Sequence, residues 1–390
     1  MMPRRAAQGS GTIRKKTVIR KGKTYTYWEA RYTAGCDSGT GKQIQRSITG
    51  KTQKEVAQKL KEATLAVDRG VYVDPTKMTV GAWLDTWLRE YLGGVKPNTV
   101  RIYKNNIEKH IKPALAALRL QELRPHTVQQ FVNSLELSPS SIRLAYKVLH
   151  QALEKAVKLG YLPRNPAADC ELPRMEQKEI RPLDDDQVTA LLKAAKGHRL
   201  EMLVTLALFT GLRQSELLGL TWDCVNLTTG ALVVEKQLAR LELRENGDIF
   251  CTTKSGKIRT ITMAPFAIKV LREQKRRQAE IRIKAGPAWD NSSNLVFTDA
   301  MGGPLNHRLV EGAFRRLEKK AGLEGVRFHD LRHTYAVNAI RAGDDIKSIQ
   351  GNLGHASAGF TLDRYGHFTE RMKEDSAARM ESFIKGVLNL

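Results

Sequence analysis

Near the N-terminus, apolar and polar positions alternate with the period of two that is typical of β-strands. Trp28, Ala30 and Tyr32 show the alternation most clearly, since the positions between them carry a glutamate and an arginine. Two similar segments lie near residues 12–20 and 42–49. The pattern predicts a small sheet of three strands.

From about residue 53 the period lengthens to that of amphipathic helices. The first apolar face consists of Val56, Leu60, Ala63 and Val67. Four more helical segments follow up to about residue 157, and the stripe of the first consists of Val80, Trp83, Leu84, Trp87 and Leu88. We expect Asn98 or Thr99 to cap the second of these helices. Ser140 or Ser141 should begin the fourth.

The remainder of the chain is mostly helical, with strand-like segments between about 231 and 263. Met202–Phe209 predicts a buried helix that ends at Gly211. Ser255-Gly256 predicts a hairpin turn between two of the strands.

Two linkers are predicted. Gly70–Lys77 carries glycine, an Asp-Pro pair and polar residues, and the stretch at about 162–182 carries Pro163, Pro166 and Pro173 followed by MEQKEIRP. We therefore expect a mainly α fold with small β elements (α+β) that is divided into three domains. The expected boundaries are 1–72, 76–172 and 180–390.

The net charge of the chain indicates what kind of molecule it binds. The 390 residues carry a formal net charge of +23, and residues 1–80 alone hold 17 Lys or Arg against 6 Asp or Glu. Such an excess of positive charge is suited to binding a polyanion, although ribosomal and other basic proteins have a similar excess. The four cysteines form no CxxC pair, which is typical of reduced thiols in a cytosolic protein. The longest apolar run is too short for a membrane span and no secretory signal is evident, so we expect a cytoplasmic location at the bacterial nucleoid.

Candidate chemistry is concentrated in the C-terminal half. Five polar motifs occur there in order: GLRQSE (211–216), TKSGKIRTI (253–261), HDLRHT (329–334), LGH (353–355) and TLDRYGH (361–367). Their candidate catalytic residues are Arg213, Lys254, His329, Arg332, His355 and Tyr365. Together these groups can hold a phosphodiester, neutralise its developing charge and attack it with a phenol. Each motif alone is weak evidence for catalysis, since HxxR on a helix is more often a surface pair. The set includes no cluster of Asp or Glu that could hold a metal.

The order and spacing of the motifs resemble the tyrosine recombinase/integrase family over roughly residues 75–390. The resemblance implies a helical core-binding domain at 76–172 and a catalytic domain at 180–390. It also implies that 1–72 is an arm-type DNA-binding domain, although a basic domain for protein contacts would look similar. Neither a metal nor another cofactor is expected.

The resemblance assigns the phosphate-binding groups. Arg213 and Arg332 match the two catalytic arginines of the family, whose planar forks bind phosphate bidentately. His329 matches a histidine that hydrogen-bonds the phosphate and helps to manage the tyrosine proton, and His355 matches a further donor. Glu216 lies three residues after Arg213, on the same face of a helix, and could orient its neighbours.

The resemblance also assigns the groups that make and break bonds. Lys254 would protonate the leaving 5′ oxygen, with Lys257 as the main rival. Tyr365 would be the nucleophile that forms a 3′-phosphotyrosine, with Tyr335 as a weaker rival. His333 is expected to be structural, since the family motif does not require it.

DNA contacts are expected in the first two domains. The candidates for phosphate contact are Lys96, Arg101, Lys104, Arg143 and Lys147. Gln43 and Gln45, on the polar face of the third strand, are candidates for reading bases in a groove.

The sequence therefore predicts an integrase that integrates or excises a mobile element or prophage through a Holliday junction. Its expected partners are core and arm attachment sites in double-stranded DNA, three further copies of the chain in a homo-tetramer, and a host bending protein or excision factor. Membrane binding is not expected. A type IB-like topoisomerase and a non-catalytic DNA-binding regulator are the alternatives. The apolar face of Met380–Leu388 either packs on its own subunit or docks on a neighbour.

Overall fold

The computed structural model describes most of the chain. The described residues are 12–20, 23–36, 40–68, 72–73, 76–175, 181–240, 248–253, 256–355, 357, 359, 362, 365, 380–381, 383–385 and 387. Contacts divide the chain into two compact units, Met1–Glu176 and Gln177–Leu390. The predicted α+β class with small sheets is confirmed, whereas the division into three domains stays a prediction.

The first unit begins with an antiparallel sheet in the order β1-β2-β3. Its elements are β1 (Thr12–Arg20), β2 (Lys23–Cys36), β3 (Gln43–Gly50) and α1 (Gln53–Asp68). Ala30 and Tyr32 of the central strand are buried against Val56 and Leu60 of α1. The predicted alternation is thus confirmed, because one face of β2 packs on the helix while the other carries the polar side chains.

Helices form the rest of the first unit. They are α2 (Val80–Glu90), α3 (Pro97–Asn106), a π-helical turn (Ile107–Ile111), α4 (Lys112–Leu115), a 3₁₀ turn (Leu120–Glu122), α5 (Pro125–Asn133) and α6 (Pro139–Lys158). Trp83 of α2 is fully buried at the centre of this group, and its indole N–H donates to the Ala152 carbonyl of α6 at 2.9 Å. The apolar stripes of the sequence therefore meet in one core.

Two predicted helix starts are wrong by a few residues. α3 starts at Pro97 with Lys96 as the N-cap, and α6 starts at Pro139 with Ser138 as the N-cap, whose hydroxyl accepts from the Ser141 N–H. In both cases proline takes the first helical position, where its missing N–H costs nothing and its fixed φ favours the helix.

The predicted second linker is also wrong in its first part. Leu162 and Ala167 are buried in the core of the helical group. The Tyr146 hydroxyl of α6 donates to the Ala167 carbonyl at 2.7 Å. The chain after α6 is thus held against the first unit, although its prolines and polar residues suggested a connector.

The second unit is mostly helical and includes small β elements. Its helices are α7 (Asp185–Ala195), α8 (Glu201–Thr210), α9 (Gln214–Leu218), α10 (Pro265–Ala285), α11 (His307–Lys320), α12 (Asp330–Arg341) and α13 (Ile346–Leu353), with 3₁₀ turns at Trp222–Cys224 and Gly286–Ala288. α8 is the predicted buried helix, and every residue from Met202 to Thr210 is buried except the half-exposed Phe209. It forms the centre of the unit.

The strands of the second unit pair differently from the prediction. They are β4 (Ala231–Val234), β5 (Lys236–Leu238), β6 (Phe250–Thr252) and β7 (Arg259–Thr262). β4 pairs with β7 and β5 pairs with β6, both antiparallel. The Gly256 N–H donates to the Thr253 carbonyl at 3.0 Å with φ 70° at Gly256, so a turn is present at the predicted place, although Ser255 itself lies outside the described residues. The hairpin expected around this turn is wrong, because β6 pairs with β5 and β7 pairs with β4.

Among the described residues, no helix is both long and apolar enough to cross a bilayer.

Candidate active site

Arg213 is positioned by the sharp reversal between α8 and α9. Gly211 ends α8 in the left-handed region at φ 62°, a conformation that glycine adopts without steric cost. A Cβ atom at this position would also collide with the ring of Tyr335. Arg213 follows as the N-cap of α9, and its backbone N–H donates to Glu216 Oε2 at 2.9 Å.

Glu216 binds two guanidiniums at once. Its carboxylate, which is fully buried, accepts from Arg213 at 2.8 Å. It also accepts from both terminal nitrogens of Arg259 on β7, at 3.1 and 2.6 Å. Burial raises the pKa of Glu216, but the hydrogen bonds and charge of Arg259, with the charge of Arg213, outweigh it and leave the pKa below the ordinary value. The carboxylate therefore stays ionised and holds both arginines in place.

Arg332 lies deeper than Arg213. Its side chain is buried on α12 and donates to the Gly211 carbonyl at 2.7 Å and to the carbonyl of Leu353. Burial, followed by the positive charge of Arg213, lowers the pKa of Arg332 to about 9. The guanidinium remains protonated at neutral pH but lacks water, which favours an anion as its partner.

His329 and His355 stand beside these guanidiniums in their neutral forms. Loss of surrounding water, followed by the charges of Arg332 and Arg213, lowers the pKa of His329 to about 4 and that of His355 to about 3. A bound phosphodiester would offset the positive charges and raise both values. Until then both imidazoles offer one donor and one acceptor nitrogen each.

Tyr365 reaches this cluster from the C-terminal part of the chain. Its side chain is 1% exposed, and its ring is nearly parallel to that of His355, with 6.4 Å between centroids. Its hydroxyl lies 2.6 Å from Nδ1 of His333. The phenol thus lies in one cluster with the imidazoles.

A cleft of about 890 Å³ reaches the cluster from the surface. Arg213 and His329 line it together with Arg315, Lys319 and Arg327 and three glutamates. The cleft has room for a segment of a sugar-phosphate backbone beside the first arginine.

The structure thus gathers five of the six predicted catalytic residues. Lys254 lies outside the described residues, as does its neighbour Ser255. Its rival Lys257 is exposed, and the Lys257 carbonyl accepts from the Thr253 hydroxyl at 3.1 Å. The hydroxyl oxygen of Tyr335, the rival nucleophile, accepts a hydrogen bond from Asn352 Nδ2 at 3.1 Å. Burial raises the pKa of Tyr335, which disfavours the ionised form that would attack phosphorus.

Two residues of the cluster were missed by the sequence. Arg259 lies within TKSGKIRTI, where only the two lysines were considered as candidates. Its Nε donates to the Asn352 carbonyl at 2.9 Å. His333 was interpreted as structural, although its ring contacts both Tyr365 and His329. The only available signal was its place four residues after His329, which puts both imidazoles on one face of α12.

The candidate DNA contacts of the first unit lie at the surface to different degrees. Lys96, Lys104, Lys147, Gln43 and Gln45 are exposed. Two arginines are partly engaged within the chain: Arg101 donates to the Asn98 side chain at 3.1 Å and Arg143 to the Pro173 carbonyl at 2.9 Å. Lys104 and Lys147 are therefore more exposed candidates than the two arginines.

Within the described part of the chain, no group of three or more His, Cys, Asp or Glu side chains could hold a metal ion.

Comparison with known families gives two matches. Residues 181–372 match the phage integrase family, and residues 79–136 match the phage integrase N-terminal SAM-like domain. These ranges contain the active-site cluster and the first helices of the helical group, respectively.

Similar proteins include a curated relative and solved structures. A tyrosine recombinase XerC-like protein of Caldanaerobacter subterraneus subsp. tengcongensis is 29% identical over 391 residues, covering 95% of this chain and 99% of the relative. The structure of the Tn1549 transposon integrase with a circular intermediate DNA matches with a TM-score of 0.65 at 23% identity, over 78% of this chain and all of that one. A lambda integrase tetramer bound to a Holliday junction matches with a TM-score of 0.58 at 21% identity, over 88% and 94%. At these identities the structures establish a shared fold.

Proposed function

We propose that this chain, which belongs to the tyrosine recombinase/integrase family, cleaves and rejoins DNA at specific sites through a phosphotyrosine formed by Tyr365. The family makes it a site-specific recombinase; the assignment of roles to its residues is our own. One observation carries that assignment: Arg213, Arg332 and Tyr365 come from three distant parts of the chain and meet in one cluster.

The charge of the cluster suits a phosphodiester. Three guanidiniums, those of Arg213, Arg259 and Arg332, are gathered around the carboxylate of Glu216. The excess of positive charge is partly buried, where its attraction for an anion is strongest. Because Glu216 fixes both Arg259 and Arg213, their guanidinium groups do not need to reorganise when the transition state forms.

The proposed cleavage step balances as follows. The Tyr365 hydroxyl gives its proton to a basic nitrogen of the cluster and its oxygen forms a bond to phosphorus, while the bond from phosphorus to the 5′ oxygen breaks. Arg213 and Arg332 neutralise the non-bridging oxygens, and His329 and His355 donate to them. Lys254 donates the proton that the leaving 5′ oxygen needs. The phosphotyrosine retains the energy of the phosphodiester, so the reverse step rejoins the strand.

Recombination requires two duplexes, and we propose that four copies of the chain act together on a Holliday junction. The shared fold with the lambda integrase tetramer supports this proposal. In the described part of the C-terminal segment, Met380, Phe383, Ile384 and Val387 are at least 46% exposed. An apolar face of this kind can be covered by a neighbouring copy.

We further propose that the N-terminal sheet reads a second, arm-type site in the DNA. On the face of β2 turned away from α1, Glu29 is buried between Arg14 and Lys16, at 2.7 and 3.3 Å. The carboxylate holds the guanidinium in one orientation, which suits specific contacts in a groove better than loose surface charge. Gln43 and Gln45 lie exposed on the neighbouring strand β3.

This organisation fits an integrase of a prophage or other mobile element that works in the cytoplasm on the bacterial chromosome. Arm sites far from the core site can be reached only if the DNA bends. A host bending protein or an excision factor is therefore part of the proposal.

Covalent trapping tests the catalytic assignment. In a nicked suicide substrate, cleavage releases the short strand that carries the 5′ hydroxyl, so the strand cannot be rejoined. The phosphotyrosine is then trapped as a protein–DNA adduct that resists detergent. The wild-type chain should be trapped at one short inverted-repeat site, whereas Tyr365→Phe should bind the same DNA and form no adduct. Tyr335→Phe is the matched control and should be trapped normally.

Each other outcome rejects a part of the proposal. An adduct with Tyr365→Phe would assign the nucleophile to another residue. Trapping of the wild type at many unrelated sites would indicate a type IB-like topoisomerase, and no trapping at all would indicate a DNA-binding regulator.

The arm domain has its own test. Residues 76–390 should still cleave a core site but fail to integrate where arm sites are needed. A 1–75 fragment should shift arm DNA and ignore core DNA, with a log–log salt slope of roughly −4 to −5 if it places about five basic side chains on phosphates. A fragment that binds no DNA at ~50 mM salt, where phosphate contacts are still strong, would assign this domain to protein contacts.

A further inference from the structure

The hydroxyl oxygen of Tyr365 lies close to a nitrogen of a residue that the motif does not require. His333 Nδ1 lies 2.6 Å from the Tyr365 hydroxyl, a distance typical of a strong hydrogen bond. Both side chains are buried, at 9% and 1% exposure. A phenol has an unperturbed pKa of about 10, so its attack on phosphorus at neutral pH needs a group that removes the proton.

The two other imidazoles of the cluster have a different task in the proposed step, because His329 and His355 donate hydrogen bonds to the non-bridging oxygens. Before DNA binds, burial and then the charges of Arg332 and Arg213 lower the pKa of His329 to about 4 and that of His355 to about 3. The ring of His355 lies nearly parallel to the phenol ring, with 13° between the planes and 6.4 Å between the centroids.

His333 has a carboxylate to support its charged form. Asp330 lies three residues earlier on α12, and the two groups attract each other, since the charge of His333 helps to lower the pKa of Asp330. Burial raises that pKa, but the hydrogen bonds and charge of Arg327, together with the charge of His333, outweigh it, so Asp330 remains ionised. A negative charge near an imidazole stabilises the imidazolium that proton uptake produces. The edge-to-face contact with His329, at 4.9 Å, fixes the plane of the His333 ring.

We propose that His333 is a catalytic residue, the general base that takes the proton of Tyr365 during cleavage and returns it during rejoining. The neutral imidazole carries its hydrogen on Nε2, and Nδ1 accepts the phenolic hydrogen. As the bond from the tyrosine oxygen to phosphorus forms, the O–H bond breaks and its electron pair stays on oxygen. The proton moves to His333, and the leaving 5′ oxygen takes a different proton from its own acid. This inference rests on the proposed role of Tyr365 as the nucleophile.

The test separates proton transfer from positioning. His333→Asn keeps an acceptor oxygen near the place of Nδ1 but cannot hold a proton at neutral pH. Single-turnover cleavage of the nicked substrate should fall by ~10²-fold or more, the range of general-base catalysis, with unchanged DNA affinity and melting temperature. The matched control is His198→Asn, because His198 Nδ1 accepts only a backbone N–H, that of Leu200 at 3.1 Å. The control should cleave at the wild-type rate.

Chemical rescue supplies the decisive readout. A fluorinated tyrosine at position 365 loses its proton more readily than tyrosine does. It should restore most of the lost rate in His333→Asn and change the rate of the otherwise wild-type chain little. If His333→Asn folds poorly, a fluorinated histidine at position 333 keeps the shape of the side chain and weakens only its basicity, and it should slow cleavage in the same way.

Two results would overturn the inference. One is cleavage by His333→Asn at the wild-type rate. The other is a loss of rate that the fluorinated tyrosine does not restore, which would make His333 a positioning residue. Both are read against a wild-type chain that forms the adduct; without that adduct, the proposed function fails before this inference is reached.

Discussion

Glu216→Gln should unfold the second unit at a much lower temperature while hardly changing its shape. The wild-type carboxylate is fully buried and accepts four hydrogen bonds, two from Arg213 and two from Arg259. Glutamine replaces one acceptor oxygen with an N–H₂ group that faces other donors, and it leaves two guanidiniums without a counter-charge. Removing one partner of a buried ion pair costs about 3–5 kcal/mol.

That energy sets the expected shift. In a unit of about 200 residues, 1 kcal/mol lowers Tm by roughly 2–4 °C, so the variant should melt roughly 6–20 °C lower. Calorimetry at neutral pH measures it directly, provided that the transition of the unit containing Glu216 is resolved from that of the first unit. Asp185→Asn is the matched control, since Asp185 also binds an arginine, Arg341, but at the surface. Its effect should be far smaller, because exposed ion pairs contribute little.

The pH dependence provides a second check. The folded pKa of Glu216 lies below the ordinary value of 4.5, so the folded state favours the ionised form. The stabilisation is therefore complete above pH ~4.5 and is lost as pH falls through the lower, folded value. The difference in stability between wild type and Glu216→Gln should be constant at higher pH and shrink below that point. A Tm loss under ~2 °C, or a loss equal to that of the control, would refute the role of Glu216 as the anchor of both arginines.

Four further predictions follow from the same structure. Arg213→Lys keeps the charge but loses the bidentate fork, so cleavage should fall by ~10²-fold or more with little change in DNA affinity; near-normal recombination would remove Arg213 from the site. Lys254→Ala should be rescued by a substrate with a 5′-bridging sulfur, whose thiolate leaves without a proton, whereas rescue of Lys257→Ala instead would identify the other lysine as the acid. Deletion of residues 378–390 should spare DNA binding and monomer stability but disrupt coordinated strand exchange, and simple unfolding of the monomer would show that the segment packs on its own subunit. Glu29→Gln should raise affinity for unrelated DNA and reduce discrimination for arm DNA in a competition assay, because the basic side chains lose their fixed orientation; unchanged discrimination would exclude the carboxylate from base reading.

Local patterns determined most of the elements. The alternation around Trp28 and the apolar stripe that includes Trp83 depend only on residues a few positions apart, and each appears in the structure as the predicted strand or helix. Gly211 likewise ends α8 as expected, because the left-handed conformation is a local preference of glycine. The starts of α3 and α6 were misplaced because a proline at the first helical position competes with the polar capping residues that follow it.

Chemistry along the chain also pointed to the candidate site. Residue types indicated groups that can bind and attack a phosphodiester, and the resemblance of GLRQSE, HDLRHT and TLDRYGH to the motifs of the family assigned Arg213, Arg332 and Tyr365. No such rule predicted how the strands pair. β4 to β7 are three or four residues long, too short for a periodic signal, and their partners are decided by packing against the rest of the second unit.

Only the tertiary structure decided how the site is held together. Glu216 and Arg259 lie 43 positions apart, and His333 and Tyr365 lie 32 apart. Hydrogen bonds over such separations leave no periodic trace in a sequence, because they depend on where whole helices and strands come to lie. The sequence therefore determined which chemical groups this protein brings to DNA, whereas the fold decided which carboxylate orders the arginines and which imidazole faces the tyrosine oxygen.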